Sequence, residues 1–171
     1  TITAHSPLII IKMATQKFMP CLWVEKDAKK VANYYLSIFK TGKLKSYKAY
    51  KNVNGPNTFF DMAVMNLQGM DFQILAAGPM FKFTEAVSFV ITCKNQKEVD
   101  YYWNKLTAEG GQESMCAWLK DKFGVSWQIV PTILGELIGS PDKEKAGRAM
   151  QAMLKMKKIV ITDLQKAYDG N

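Results

Sequence analysis

Any chemistry in this chain has to run almost without histidine. The one histidine, His5, lies in a segment unlike the rest, so a Ser-His-Asp or Cys-His unit has no base in the core. Zinc would have to be held by Cys, Asp or Glu alone, the less usual choice outside all-thiolate sites. Cys21, Cys93 and Cys116 are odd in number, widely spaced and never CxxC. That usage suits a reducing cytoplasm and argues against a zinc ribbon or a disulfide framework. Cys116 has no histidine or adjacent cation to activate it, which is the pattern of an inert thiol. Asp61, Glu85 and Asp121 could each act as acid or base. Surface ion pairs or turns are the competing roles, and Asp121 stands just before Lys122-Phe123-Gly124, where a short acidic side chain bonds local backbone.

The formal charge is +8, which raises nucleic acid as a partner. However, Arg148 is the only arginine, and every other basic residue is lysine. Base readout and phosphate forks lean on arginine, so this balance fits non-specific attraction better than sequence reading. The densest basic stretch, Lys40, Lys43, Lys45, Lys48 and Lys51 with Tyr47 and Tyr50 between, reads as a solvated edge strand whose lysines discourage edge pairing. No nucleic-acid partner is expected. The longest aliphatic run, Leu8 to Ile11, is far short of the ~20 residues of a membrane span, and no membrane partner is expected either.

The elements that must position these residues follow from periodicity. With 171 residues, 48% hydrophobic and 22% charged, the chain is one ordinary domain or one built from two similar halves. Residues 1–16 read as a leader or disordered N-terminus, and Met13-Ala14-Thr15 resembles a native start. Phe18 to Val24 is strand-like, Asp27 can cap a helix over Lys29–Phe39, and Gly42 can end it. Strands follow near Leu44–Tyr50, Phe59–Leu67 and Met70–Ala76, punctuated by Gly55-Pro56-Asn57 and Gln68-Gly69. Then the pattern restarts. Val87–Cys93 is a strand, Asn95 with Glu98 forms a capping box for a helix over Gln96–Glu109, and strands run near Met115–Leu119 and Val125–Val130.

The second half repeats the first. A shift of 68 superposes Asp27 on Asn95, Tyr35 on Trp103, Ile38 on Leu106 and Gly42 on Gly110. A shift of 55 superposes Gly69–Leu75 on Gly124–Val130 and Gln73 on Gln128. The expected fold class is therefore α+β: two βαβββ modules at 17–80 and 86–131, then a helical extension over 132–171. In that extension Ala146, Ala149, Met150, Met153 and Leu154 make a helical stripe from near Asp142, and a second helix spans Thr162–Tyr168.

A doubled βαβββ unit resembles the vicinal-oxygen-chelate superfamily, the fold of glyoxalase I and the bleomycin and fosfomycin resistance proteins. Its PhnB-like branch, often labelled 3-demethylubiquinone-9 3-methyltransferase domain, is similar over roughly 17–168. The residues that carry the likeness are Pro20–Val24, Ala32–Phe39, Gly78-Pro79 with Phe81–Phe83, Ser88-Phe89, Glu98–Trp103, Trp118–Pro131 and Ala152–Ile159. The methyltransferase label does not carry over as an activity. The chain has nothing like a Gly-rich strand-to-helix turn for S-adenosylmethionine.

The resemblance implies two cupped half-sheets around a cavity, with metal ligands at positions that here hold Pro20, Gln73, Ser88 and Gln128. Proline supplies no donor, and a hydroxyl and two amides are weak ligands for a divalent transition metal, so no metal and no cofactor are expected. Gln73 and Gln128 either hydrogen-bond a small polar ligand or satisfy neighbours, including each other across the pseudo-twofold. Alternation puts Leu75 and Val130 on the glutamine face and turns Phe72, Ile74, Trp127 and Ile129 toward the helices. The same parity sends Trp23 to a helix and gives Leu22 and Val24 the cavity face with Pro20, with Trp118 at the rim. The expectation is a cytoplasmic, homodimeric, metal-independent small-molecule binding protein with ligand-binding residues Pro20, Leu22, Gln73, Leu75, Ser88, Trp118 and Gln128. The alternatives are a lyase- or transferase-type enzyme of the same fold, and a basic nucleic-acid-binding protein.

Overall fold

The computed structural model describes residues 17–52 and 58–171; the leader at 1–16 with His5, and the turn expected at Gly55-Pro56-Asn57, lie outside the described residues. The first half runs β1 (Cys21–Val24), α1 (Ala28–Ile38), β2 (Lys43–Lys51), β3 (Phe59–Leu67) and β4 (Met70–Ala76). The second runs β5 (Ser88–Cys93), α2 (Gln96–Thr107), β6 (Gln112–Glu113), β7 (Trp118–Lys120) and β8 (Ser126–Pro131). Each half is a four-stranded sheet, ordered β1-β4-β3-β2 and β5-β8-β7-β6. In both, the first strand pairs parallel with the last and the others pair antiparallel. The fold is the α+β double module that the repeat implied, and Gly69–Leu75 and Gly124–Val130 occupy equivalent places. Both segments open on a glycine with positive φ, +94° at Gly69 and +85° at Gly124, a backbone region that Cβ-bearing residues rarely enter.

One core serves both halves. The helix-facing side of the first sheet, with Phe72 and Ile74, and that of the second, with Trp127 and Ile129, close over Tyr35 and Ile38 of α1 and Val99, Trp103 and Leu106 of α2. Aromatic contacts cross the boundary: Tyr35 and Phe39 each pack on Trp127, and Phe72 meets Phe89 edge-on. The polar tie is Asp121, 3% exposed. Its Oδ2 accepts from Tyr35 Oη at 2.7 Å and Trp127 Nε1 at 2.9 Å, and its Oδ1 from the backbone N–H of Phe123 at 2.9 Å and Val125 at 3.1 Å. The turn role expected of Asp121 is present, but within a buried carboxylate that joins the halves. Burial raises its pKa above the ordinary carboxylate range, against the pull of its four donors.

Helix starts divide between expectation and surprise. At α2, Asn95 accepts from Glu98 N–H at 3.1 Å, as the capping box implied, while Glu98 Oε2 accepts from Lys94 N–H at 2.8 Å, one residue before the cap. At α1, Asp27 sits in the left-handed region at φ 59° and its side chain caps nothing. Asp61 on β3 does the work instead, accepting from Ala28 N–H at 3.1 Å while only 2% exposed. The lysine-bearing stretch is β2, an edge strand as expected.

The extension forms α3 (Thr132–Ile138), α4 (Lys143–Met153) and α5 (Ile161–Asp169) around Leu134, Leu137, Ala149, Ile159 and Leu164. Helix α3 falls within the helical extension expected over 132–171, although no apolar stripe singled it out. It follows directly on Pro131, which ends β8, and buries Leu134 and Leu137. Arg148 is structural: its guanidinium grips the carbonyls of Ala167 and Tyr168 at the end of α5 and the carboxylate of Glu144. The segment after α4 clasps the second half. The carbonyls of Met156 and Lys157 accept from Cys116 and Ala117 N–H at 2.7 and 2.8 Å, and Gln96 bonds both Ile159 and Ile161 backbone. No helix among the described residues is long and apolar enough to cross a membrane.

Candidate functional site

The face of each sheet turned away from α1 and α2 carries the glutamines, and in the second sheet its Val130 end packs against the helical extension. In the second sheet, β8 places Ser126, Gln128 and Val130 there; the parallel register adds Ser88, Val90 and Thr92, and the antiparallel register adds Trp118 and Lys120. Gln128 Nε2 donates to Ser88 Oγ at 2.9 Å, and Trp118 lies directly across from Gln128. Three expected site residues therefore meet. Lys120 faces Ser126 across the strands and is ion-paired with Glu85 from the segment joining the halves. That hydrogen bond holds the Glu85 carboxyl below its ordinary pKa. Beside this face lies a cavity of about 450 Å³ walled by Glu85, Met115, Cys116, Trp118, Lys120 and Ser126.

In the first sheet, Gln73 and Leu75 share the equivalent face, and both are half-buried. Gln73 Nε2 donates to Cys21 Sγ at 3.3 Å, and Gln73 N–H donates to the carbonyl of Pro20 at 2.9 Å. Each glutamine thus finds its side-chain partner within its own sheet, and the pair does not meet across the pseudo-twofold.

Leu22 is a correction. It pairs with Ile74, is 4% exposed and belongs to the helix-facing core, as does Val24. Cys21 and Trp23 take the glutamine face. Trp23 does not pack on a helix; its indole N–H donates to the carbonyl of Gly78 at 2.8 Å and its ring meets Phe81 edge-on at 4.8 Å. The cause is one residue of loop. The helices repeat at a shift of 68, but the residues opposite Gln73 and Gln128 are Cys21 and Val90, a shift of 69. The β1–α1 connection is Glu25-Lys26-Asp27, while β5–α2 is only Lys94-Asn95. A one-residue offset inverts every side chain of a strand, so Pro20 and Ser88 are not equivalent in space.

The donor chemistry does not fit a transition metal. The sequence-expected set is Pro20, Gln73, Ser88 and Gln128, and the register-matched set replaces Pro20 and Ser88 with Cys21 and Val90. Neither contains imidazole or carboxylate, and no group of three or more His, Cys, Asp or Glu side chains that could hold a metal occurs among the described residues. Of the thiols, Cys21 is exposed, and burial pushes Cys93 up to about 11, which leaves it unreactive near neutrality. Sequence reasoning missed Lys120 as a member of this face and left Ser126 out of the binding set. Alternation from Gln128 and Trp118 was the signal that could have found them.

The family model for 3-demethylubiquinone-9 3-methyltransferase matches residues 16–130. No curated protein matches the sequence. Among solved structures, a putative 3-demethylubiquinone-9 3-methyltransferase, PhnB protein, from Bacillus cereus is 30% identical with a TM-score of 0.59, covering 68% of this chain and 100% of its own. Protein PA1353 from Pseudomonas aeruginosa is 18% identical with a TM-score of 0.53, covering 68% of this chain and 98% of its own. The fosfomycin resistance protein FosX from Listeria monocytogenes is 16% identical with a TM-score of 0.54, covering 72% of this chain and 97% of its own. The last two likenesses concern the fold alone. With the model match covering both modules, the chain belongs to the 3-demethylubiquinone-9 3-methyltransferase-like, PhnB-like family of the vicinal-oxygen-chelate superfamily.

Proposed function

We propose that the protein binds a small organic molecule on its glutamine faces and does so without a transition metal. The observation that carries this reading is the cluster of Gln128, Ser88 and Trp118 beside a cavity of about 450 Å³. A few polar groups set against an aromatic wall is the usual make-up of a ligand pocket, and this volume lies within the usual range. On the first sheet, Cys21, Gln73 and Leu75 form the corresponding surface. A Glu-to-Gln mutant of FosX has been solved with Mn(II) and a dihydroxypropylphosphonic acid, but two neutral amides with at most the one thiolate of Cys21 would leave such a dication undercompensated here. We further propose a homodimer. Both sheets end in open edges, and Val87 and Val90 are 69% and 57% exposed beside the glutamine face. The free cysteines suit a reducing, cytoplasmic setting.

A thermal-shift screen of metabolites and metals on purified protein tests this reading, with elemental analysis alongside. The expected result is a melting temperature unmoved by EDTA or added metals and raised by one class of metabolite. One equivalent of bound metal, lost on Gln73→Ala or Gln128→Ala, would overturn it.

A further inference from the structure

We infer that the cavity beside β7 takes a small organic anion with an apolar body, and that Glu85 is an internal carboxylate holding the place of the ligand's anionic group. The inference rests on the reading of this face as the binding face and adds its charge preference. Lys120 and Ser126 are cross-strand partners on the same face, a spacing at which two side chains reach one group. Ser126 is 1% exposed, it lines the cavity, and its hydroxyl has no hydrogen-bond partner among the described residues. A buried polar group left unmade is the costly state, so this hydroxyl marks a place for an incoming polar atom.

The Lys120 ammonium is engaged by Glu85, and the two groups differ in how firmly they are held. The Lys120 side chain is 31% exposed and set on a strand; that of Glu85 is 63% exposed and set in the segment between β4 and β5, which has neither helix nor strand. Glu85 reaches Lys120 but leaves Ser126 unsatisfied. A ligand carboxylate, with two oxygens, could take both partners and release Glu85 to water. The cavity's other carboxylate, Glu113, already accepts from Trp103 Nε1 at 2.8 Å and pairs with Lys157 at 3.6 Å. It is therefore not offered to a cationic ligand. The apolar body would lie on Trp118 and Met115, the latter 44% exposed.

The test uses two isosteric probes, benzoate and benzamide, titrated into the full chain while the Trp118 indole and Ser126 amide resonances are followed by NMR. Benzoate is expected to shift both. Its affinity should rise about fivefold in Glu85→Gln, the factor expected from removing one exposed ion-pair competitor, and should fall at least that much in Lys120→Met. Benzamide should bind more weakly and respond to neither substitution. If benzamide matches benzoate, or Glu85→Gln leaves benzoate binding unchanged or weaker, the anion preference is wrong while the face remains a binding face. If neither probe moves these resonances and the metabolite that raises the melting temperature shifts residues elsewhere, the inference falls together with the site reading beneath it.

Discussion

Tyr35→Phe removes a single oxygen from the join between the halves. The Tyr35 ring is 1% exposed and packs against Phe123 and Trp127, so the substitution leaves apolar packing in place and deletes only the 2.7 Å bond to Asp121 Oδ2. A buried hydrogen bond to a charged group contributes ~1.5–3 kcal/mol. Asp121 keeps its other three donors, so a loss of about 2 kcal/mol is expected. For a chain of this length that lowers the melting temperature by roughly 4–8 °C. The pH dependence has a definite sign. Because burial raises the Asp121 pKa in the folded state, stability tied to this group is complete below the ordinary carboxylate pKa and is lost as pH rises through the raised value. Deleting a donor raises that pKa further, so the deficit of the variant should be larger at pH 8 than at pH 4. The assay is urea unfolding by tryptophan fluorescence at both pH values, with an unchanged denaturant slope as the check that compactness is preserved. A loss under ~0.5 kcal/mol at neutral pH, or one equal at both pH values, would refute this account of Asp121.

Leu22→Ala should lower stability by ~2–4 kcal/mol in the same assay, since Leu22 fills the core beside Ile74; a cost below ~1 kcal/mol would restore it to the glutamine face. Cys116→Gly should raise stability by ~0.5–1 kcal/mol, because Cys116 holds φ at +57° where glycine carries no Cβ penalty; a destabilised variant would mean that the thiol's packing outweighs the backbone strain.

Helices and central strands were legible because their burial is periodic over many residues. Phe59–Leu67 and Met70–Ala76 alternate cleanly in burial, and α1 buries Ala28, Val31, Ala32, Tyr35 and Ile38 at helical spacing. Short elements were harder to read. β1 has four residues, too few for alternation to fix its own phase, so its parity was anchored on Pro20, the position the family resemblance supplied, and the helices' shift of 68, which pairs Pro20 with Ser88, hid the one-residue loop offset. Capping by Asp61 was invisible for a different reason: it joins residues 33 positions apart, whereas Asn95 and Glu98 are three apart. Burial of Asp121 depended likewise on Tyr35, 86 positions away. On the candidate face, Ser88, Gln128 and Trp118 came together because β5, β7 and β8 share one sheet. The Lys120–Glu85 pair needed the path of the joining segment, which carries no periodic signal.

The clasp between the extension and the second half bears on the order of events during synthesis. Cys116 and Ala117 both hold positive φ, and the carbonyls that accept their N–H groups belong to Met156 and Lys157. While translation proceeds, the strands of both modules emerge before those acceptors exist. The wall containing Cys116 therefore cannot settle until some forty residues later have left the ribosome, a wait of a few seconds at ~5–20 residues per second. A released chain truncated ahead of Met156 would keep every strand and helix of the two modules and their shared core, beside an unfinished pocket. Its Cys116 would react with a thiol reagent faster than in the full chain.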